Sequence, residues 1–69
     1  MNLTQGSSGE DVRKLQQALI DAGYSVGASG ADGIYGANTA NAVRQYQQAN
    51  GLEADGEIGP ITAASLLKV

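Results

Sequence analysis

The sequence contains no cysteine and no histidine. The chain can therefore form neither a disulfide nor a thiolate or imidazole zinc site, and its stability must come from packing. Basic residues are also few, since four Lys and Arg stand against seven Asp and Glu, for a formal net charge of -3. Nucleic-acid-binding domains of this size usually carry a basic face, so we expect no nucleic-acid partner.

Long apolar runs are missing as well. No stretch approaches the roughly 20 residues that a membrane span needs, and residues 1–12 lack the basic and apolar segments of a signal peptide. We therefore expect no membrane partner and no signal peptide in this chain. The length of 69 residues predicts a single domain over residues 1–69, too small for a deep catalytic cavity.

The most informative feature of the sequence is an internal repeat that contains glycine at fixed positions. Residues 31–43 read ADGIYGANTANAV, and residues 54–66 read ADGEIGPITAASL. A weaker third copy in residues 6–12 repeats the frame Gly-x-x-Gly-x-x-(Val/Thr), with Val12 at the position of Thr39 and Thr62. An offset of 23 residues aligns the two strong copies with these identities: Ala31/Ala54, Asp32/Asp55, Gly33/Gly56, Gly36/Gly59, Thr39/Thr62 and Ala40/Ala63.

Each copy of the Gly-x-x-Gly frame precedes a helical pattern. After Gly9, apolar residues recur at spacings of three and four, which predicts a helix with Ser8 as its N-cap and Asp11 three residues further on. A second helix is predicted over about residues 37–50. A third is predicted from Pro60 to about residue 67, because proline suits the first position of a helix.

Two glycines predict where the first two helices end. Gly23 is followed by Tyr24, and Gly51 is followed by Leu52. A glycine in a left-handed conformation followed by an apolar residue that folds back on the last turn is the Schellman arrangement. The predicted fold class is therefore all-α, a small three-helix bundle with short irregular loops that contain Asp-Gly.

The repeat also separates buried positions from exposed ones. Ile34 aligns with Glu57, so that position is expected to face water, whereas Tyr35 aligns with Ile58, so that position is expected to be buried. Ala22 and Ala42 are expected to face inward on their helices. The predicted core consists of Leu3, Val12, Leu15, Leu19, Tyr24, Tyr35, Val43, Tyr46, Leu52, Ile58 and Leu66.

Catalysis is the first chemistry to consider, because Asp32 and Asp55 resemble the carboxylate pair of a glycosidase. A general acid needs a raised pKa, and an Asp before Gly in a polar loop is better placed to bond nearby backbone N–H groups and fix the turn. Nucleophilic catalysis lacks a His or Cys partner. We therefore predict that the chain is not an enzyme.

Cofactor and metal loops fit the sequence no better. The residues before Asp32-Gly33 do not supply the alternating ligands of a calcium-binding EF-hand. The glycine frame matches neither a P-loop nor a dinucleotide fingerprint, so we expect no cofactor and no metal. Ligand recognition is the function class that remains, because helix N-termini present unpaired N–H groups that can bind carboxylates or hydroxyls.

Taken in order and spacing over nearly the whole chain, these motifs resemble the peptidoglycan-binding domain family, small three-helix modules of cell-wall hydrolases and amidases. Tyr35 and Tyr46 stand where that family often has Phe, which adds hydroxyls that need partners. The residues that carry the resemblance are Leu3, Gly6, Gly9, Asp11, Val12, Leu15, Gln16, Leu19, Gly23, Tyr24, Asp32, Gly33, Ile34, Tyr35, Gly36, Thr39, Ala42, Val43, Tyr46, Gln47, Gly51, Leu52, Asp55, Gly56, Gly59, Thr62 and Leu66.

The resemblance implies a single non-catalytic domain that binds peptidoglycan, through the glycan strand, the stem peptide or both, and targets an attached or partner wall hydrolase. It implies a place in the cell wall, outside the cell or in the periplasm, as part of a larger protein. The residues expected to contact the ligand flank the Asp-Gly turns, with Arg44 and Gln48 at the rim: Asp32, Ile34, Tyr35, Asn38, Arg44, Gln48, Asp55 and Thr62.

Two alternatives stay open from the sequence. The three-helix design also resembles the pro-segment domains of some metalloproteases, which implies a protein-protein interaction module. Its apolar anchors would be Ile20, Ile34 and Ile61, if these cluster at the surface. The other alternative is a folded scaffold without a ligand.

Overall fold

The structure is a computed structural model that describes residues 2–67. Within this range the chain forms three helices, α1 (Glu10–Asp21), α2 (Ala37–Ala49) and α3 (Pro60–Leu67). α1 packs against both α2 and α3. The all-α prediction is confirmed, and the predicted helix bounds agree with these to within a residue or two. None of the described helices has the length and apolar character needed to cross a membrane.

The three helices begin by a common rule, directly after the second glycine of each Gly-x-x-Gly frame. Gly9 and Gly36 are the N-caps of α1 and α2, and Gly59 accepts the first backbone hydrogen bond of α3 from Ala63 at 2.9 Å. No side chain caps either of the first two helices. The prediction that Ser8 is the N-cap of α1 is therefore wrong.

Ser8 does not cap α1 because the chain around it is bonded elsewhere. Ser8 forms an isolated antiparallel bridge with Ile34, and the N–H of Gly9 donates to the carbonyl oxygen of Gly33 at 2.9 Å. These contacts hold the segment before α1 against the first Asp-Gly turn. The helix consequently starts one residue later than the side-chain signal suggests.

The ends of α1 and α2 match the predicted Schellman arrangement. The N–H of Tyr24 donates to the carbonyl oxygen of Leu19 at 2.8 Å, and the N–H of Leu52 donates to that of Gln47 at 2.8 Å. Gly23 and Gly51 have φ angles of 94° and 70°, the left-handed region that this cap requires. Both predicted Schellman arrangements are confirmed, with each glycine directly after the C-cap residue.

The core lies between the three helices and the turns that precede α2 and α3. Tyr24 and Tyr46 meet edge to face there, with ring centroids 5.8 Å apart. Leu3, Tyr24 and Leu52, predicted for the core, are half-buried at its margin. The buried hydrophobic residues are Val12, Leu15, Leu19, Val26, Tyr35, Ala40, Ala42, Val43, Tyr46, Ile58, Ala63 and Leu66.

Two positions in the core differ from the sequence prediction. Ala22 is exposed, because it is the C-cap of α1 and lies beyond the last buried turn. Val26 is buried although it lies in the irregular segment between α1 and α2, where no helical spacing marks it. The exposure of Ile34 and the burial of Tyr35 and Ile58 are as the repeat predicts.

The N-terminal segment connects the two Asp-Gly turns. Leu3 and Ile58 exchange backbone hydrogen bonds of 2.8 and 2.7 Å at the second turn. Further along, Gly6 donates to the carbonyl oxygen of Tyr35 at 2.9 Å, and Tyr35 donates to that of Ser7 at 3.0 Å. The two copies of the repeat are thereby bonded to one N-terminal segment, which fixes their relative positions.

Candidate binding grooves

A buried glutamine from α1 holds the first Asp-Gly turn. Gln16 Nε2 donates to Asp32 Oδ1 at 3.1 Å, to the carbonyl oxygen of Ile34 at 2.8 Å and to Thr39 Oγ1 at 3.0 Å. Its Oε1 accepts a hydrogen bond from the N–H of Gly33 at 2.8 Å. One side-chain amide therefore joins α1, the turn and the start of α2.

A glutamine from α2 makes the same set of contacts with the second turn. Gln47 Nε2 donates to Asp55 Oδ1 at 3.0 Å, to the carbonyl oxygen of Glu57 at 2.9 Å and to Thr62 Oγ1 at 3.2 Å. Its Oε1 accepts from the N–H of Gly56 at 3.0 Å. The repeat in the sequence is thus a repeat of a complete hydrogen-bonded unit.

The aspartates of the two turns are acceptors within these units. Asp32 Oδ1 also accepts a hydrogen bond from the N–H of Ile34 at 3.0 Å, and Asp55 Oδ1 accepts one from the N–H of Glu57 at 2.9 Å. These backbone bonds, followed by the bonds from the glutamine amides, hold the pKa of each carboxyl below its usual value. The predicted turn-fixing role of both aspartates is confirmed, and a lowered pKa is the opposite of what a general acid needs.

Tyr35 links the first unit to the second. Its ring is 1% exposed, and its hydroxyl donates a hydrogen bond to the carbonyl oxygen of Gly56 at 2.6 Å. Burial, with the neighbouring charges of Glu57 and Asp55, raises the pKa of the hydroxyl to about 12. Tyr35 is among the residues predicted to contact a ligand, but its side chain is buried and its hydroxyl is bonded inside the domain.

A shallow groove lies beside the first turn, with a volume of about 190 Å³. Three of the predicted ligand-contact residues, Asp32, Ile34 and Asn38, line it. Asn38 is exposed at the start of α2, and its side chain also covers Gly27. The groove as a whole is lined by Val26, Ser29, Asp32, Ile34, Gly36, Ala37, Asn38 and Thr39.

A second groove of about 170 Å³ lies beside the second turn. The predicted residues Asp55 and Thr62 line it, although Thr62 is buried and bonded to Gln47. Apart from Val26 and Glu53, every lining residue of one groove has its counterpart in the other at the repeat offset of 23. The second groove is lined by Leu52, Glu53, Asp55, Glu57, Gly59, Pro60, Ile61 and Thr62.

The two predicted rim residues lie elsewhere on α2. The guanidinium of Arg44 packs over Gly56, where an added Cβ would lie 3.1 to 3.3 Å from its atoms, and Nη1 donates to Asn41 Oδ1 at 2.6 Å. Gln48 is exposed but lines neither groove. Five of the eight residues predicted to contact the ligand therefore line a groove. The other three, Tyr35, Arg44 and Gln48, lie beneath or beside the grooves.

The roles of Gln16 and Gln47 were not predicted from the sequence. A signal was present, because each occupies a core-facing helical position: Gln16 lies four residues after Val12, and Gln47 lies four residues after Val43. A polar side chain at such a position must find hydrogen-bond partners when buried. Both glutamines are 1% exposed, and no buried side-chain polar atom in residues 2–67 lacks a partner.

Comparison with known protein families establishes the family to which this chain belongs. A family model described as a peptidoglycan binding domain matches residues 8–66. The chain belongs to the peptidoglycan-binding domain family. The match includes both Asp-Gly turns, α1, α2 and all but the last residue of α3, so the resemblance predicted from the motifs is confirmed.

Individual members of the family agree with this assignment. The chain is 42% identical over 67 residues to the N-acetylmuramoyl-L-alanine amidase CwlL of Bacillus licheniformis, which covers 97% of this chain and 19% of that protein. It is 52% identical over 62 residues to the zinc D-Ala-D-Ala carboxypeptidase of Streptomyces albus G, covering 87% of this chain and 24% of that protein. This chain therefore spans about a fifth to a quarter of the length of these curated relatives.

A solved structure of similar size confirms the fold. The SleB N-terminal domain superposes with a TM-score of 0.91 at 38% identity, and the match covers 99% of this chain and 90% of that one. The three-helix architecture of this chain is thus shared with that domain.

Proposed function

We propose that this chain is a non-catalytic module that binds peptidoglycan and holds an attached or partner hydrolase at the cell wall. The observation that carries the proposal is the family match over residues 8–66. The relatives named as an amidase and a carboxypeptidase are several times longer than this chain, which is consistent with a module joined to a catalytic domain. The working location would then be the cell wall, outside the cell or in the periplasm.

The chemistry of the two turns supports a role in binding rather than in catalysis. Asp32 and Asp55 each accept hydrogen bonds from a backbone N–H and a glutamine amide, so their carboxylates stabilise turns. Neither has the raised pKa of a general acid. The grooves beside these turns are shallow, so weak binding strengthened by many sites along one polymer is the expected mode.

We propose that the ligand meets both grooves, through Asp32, Ile34 and Asn38 in the first and through Asp55 and Ile61 in the second. Ile34 and Ile61 are 62% and 73% exposed, so each offers apolar surface at a groove without a role in the core. Thr62 and Tyr35 would contribute indirectly, because their hydrogen bonds stabilise the turns beneath the ligand. Arg44 and Gln48 would contact the ligand only if it extends along α2.

Co-sedimentation with purified, insoluble wall sacculi tests this proposal. The wild-type chain should be retained in the pellet, and Ile34→Ser with Ile61→Ser should reduce retention, because apolar contact area is lost at both grooves. Ile20→Ser is the matched control, since Ile20 is also exposed but lies on α1 and lines neither groove. Recovery of the wild-type chain in the supernatant at low and moderate salt would overturn the proposal and favour the protein-interaction alternative.

A further inference from the structure

The two grooves share one framework but differ in their rims. The positions that build the turn are identical: Asp32 and Asp55, Gly36 and Gly59, Thr39 and Thr62. The remaining positions differ in character, and each difference makes the second groove either more apolar or more acidic. The pairs, first groove before second, are Ser29/Leu52, Ile34/Glu57, Ala37/Pro60 and Asn38/Ile61. Glu53 lines the second groove, whereas Gly30, which aligns with it, does not line the first.

The second groove therefore combines an apolar wall with a carboxylate rim. Leu52, Pro60 and Ile61 supply the apolar surface. Glu53, Asp55 and Glu57 supply the carboxylates, and all three residues are exposed. Asp55 and Glu57 also line an adjoining hollow next to residues 2–4, so a bound group could approach the rim from either side.

Among residues 2–67, no Lys or Arg forms an ion pair with this rim. The described lining residues of the groove include no Lys or Arg. The Arg44 guanidinium lies over Gly56 in the adjacent turn and donates to Asn41. Within residues 2–67, the ion pair that forms joins Arg13 to Glu10 at 3.3 Å, on α1. The groove is thus complementary in charge to a cation and in surface to an aliphatic chain.

We propose that the second groove binds a primary ammonium group carried on a short aliphatic chain. The methylene groups lie along Leu52, Pro60 and Ile61, and the ammonium lies among the carboxylates of Glu53, Asp55 and Glu57. A volume of about 170 Å³ is that of roughly six water molecules, which is enough for the four methylenes and one nitrogen of such a side chain. This inference rests on the proposed function, because a diamino-acid residue of a stem peptide would supply the group.

The first groove has no such complementarity. Its rim presents Ser29, Asn38 and the single carboxylate of Asp32, beside the apolar Ile34. Neutral hydrogen-bonding groups of the ligand suit this surface better than a cation does. The two grooves would thus recognise different parts of one ligand, with the charged part assigned to the second.

A pair of synthetic peptides tests the inference. Both have the sequence Ala–γ-Glu–Lys and are acetylated at the amino terminus, so that the lysine side chain carries the only amine. In the second peptide that amine is also acetylated. Proton–nitrogen NMR titrations of the wild-type chain should show shifts in residues 52–62 with the free amine, and affinity lower by about three- to tenfold with the acetylated one.

Variants locate the effect in the groove. Glu53→Gln with Glu57→Gln should weaken binding of the free-amine peptide by a similar factor, because both side chains are exposed and the change keeps their shape. Glu10→Gln with Asp21→Asn is the matched control, since it removes two exposed charges from opposite ends of α1 and should leave affinity unchanged. Added salt should weaken the wild-type interaction and leave the double Gln variant less affected.

Sacculus co-sedimentation in parallel separates the possible failures. If sacculi retain the chain but the two peptides bind equally, or the groove variants bind like the control, the ammonium assignment is wrong and the proposed function stands. If sacculi do not retain the chain and neither peptide shifts any amide, the proposed function fails and the assignment fails with it.

Discussion

Gln16 Nε2 lies 3.1 Å from Asp32 Oδ1, and the two residues are 16 positions apart in the chain. Gln47 and Asp55 repeat this contact at 3.0 Å over a separation of 8 residues. In both cases a side chain from the preceding helix fixes the turn that starts the next one. This relationship explains how a small domain without disulfides builds two ordered grooves from short irregular segments.

Replacement of Gln47 tests the importance of this contact for stability. Gln47→Leu keeps the approximate volume but leaves the N–H of Gly56 and the carbonyl oxygen of Glu57 without their partner. We expect the free energy of unfolding to fall by about 2–4 kcal/mol, measured by urea denaturation. Gln45→Leu, an exposed position on the same helix, is the control and should change it by about 0.5 kcal/mol or less. Equal effects of the two variants would contradict the proposed role.

The lowered pKa values of Asp32 and Asp55 predict a loss of stability in acid. Because the folded state holds the pKa of these carboxyls below the ordinary value of 3.8, it binds protons less readily than the unfolded state. The two carboxyls therefore contribute to the free energy of unfolding at pH values above this ordinary pKa. Their contribution is lost as the pH falls through the lower pKa of the folded state. Denaturation midpoints measured from about pH 6 down to about pH 2 should show this decline.

The double variant Asp32→Asn with Asp55→Asn is the control for the acid prediction. Asparagine keeps an oxygen that can accept the backbone and glutamine hydrogen bonds, but it does not titrate. The decline in stability with falling pH should therefore be shallower in the variant. An identical pH profile in the parent and the variant would show that other groups cause the acid sensitivity.

Tyr35 predicts a second pH effect at the alkaline end. Its folded pKa of about 12 lies above the ordinary tyrosine value of 10.0, so the folded state favours the neutral hydroxyl. The contribution of this group is complete below about pH 10 and is lost as the pH rises through about 12. Circular dichroism and tyrosinate absorbance, recorded together, should show ionisation of Tyr35 coinciding with unfolding.

Tyr35→Phe provides the matched comparison. It removes the hydroxyl that donates to the carbonyl oxygen of Gly56, so we expect a loss of about 1 kcal/mol at neutral pH. The late ionisation should disappear with it. Persistence of that ionisation in the variant would assign it to another tyrosine.

Gly51 tests the helix cap that ends α2. Its φ of 70° lies in the left-handed region, and an added Cβ would meet no atom within 4 Å, so any cost of Gly51→Ala comes from the backbone conformation alone. Thermal or urea denaturation should show a loss of about 1 kcal/mol or more. Gly51→Asn should cost less, because asparagine tolerates this region better. The reverse order would contradict the cap assignment.

The parts of this fold that were predictable are those encoded over short distances. The Schellman cap at Gly23 depends on neighbouring residues, and the exposure of Ile34 follows from its alignment with Glu57. The contact from Gln16 to Asp32 depends on how α1 packs against a turn 16 residues away, which local patterns do not contain. The Ser8 cap failed for the same reason, because its segment is bonded to the distant first turn.

The sequence predicts ligand contacts around the two Asp-Gly turns, and these contacts stay a prediction. The structure has a groove beside each turn, whose shape and lining the repeat alone does not give. The sequence did not reveal that the Tyr35 hydroxyl is bonded to Gly56, since that contact joins the two copies across the core. It also did not show that the two grooves have rims of different chemical character. That difference becomes apparent only when the residues that line each groove are known and compared position by position.

Proton–nitrogen NMR of the labelled chain with soluble disaccharide-peptide fragments of peptidoglycan tests the central claim most directly. The account predicts concentration-dependent shifts at the amides of residues 32–39 and 52–62. Exposed residues on α1, such as Arg13 and Gln17, should serve as unshifted internal controls. An absence of shifts at ligand concentrations of about a millimolar, or shifts confined to α1, would contradict the claim that the two grooves bind peptidoglycan.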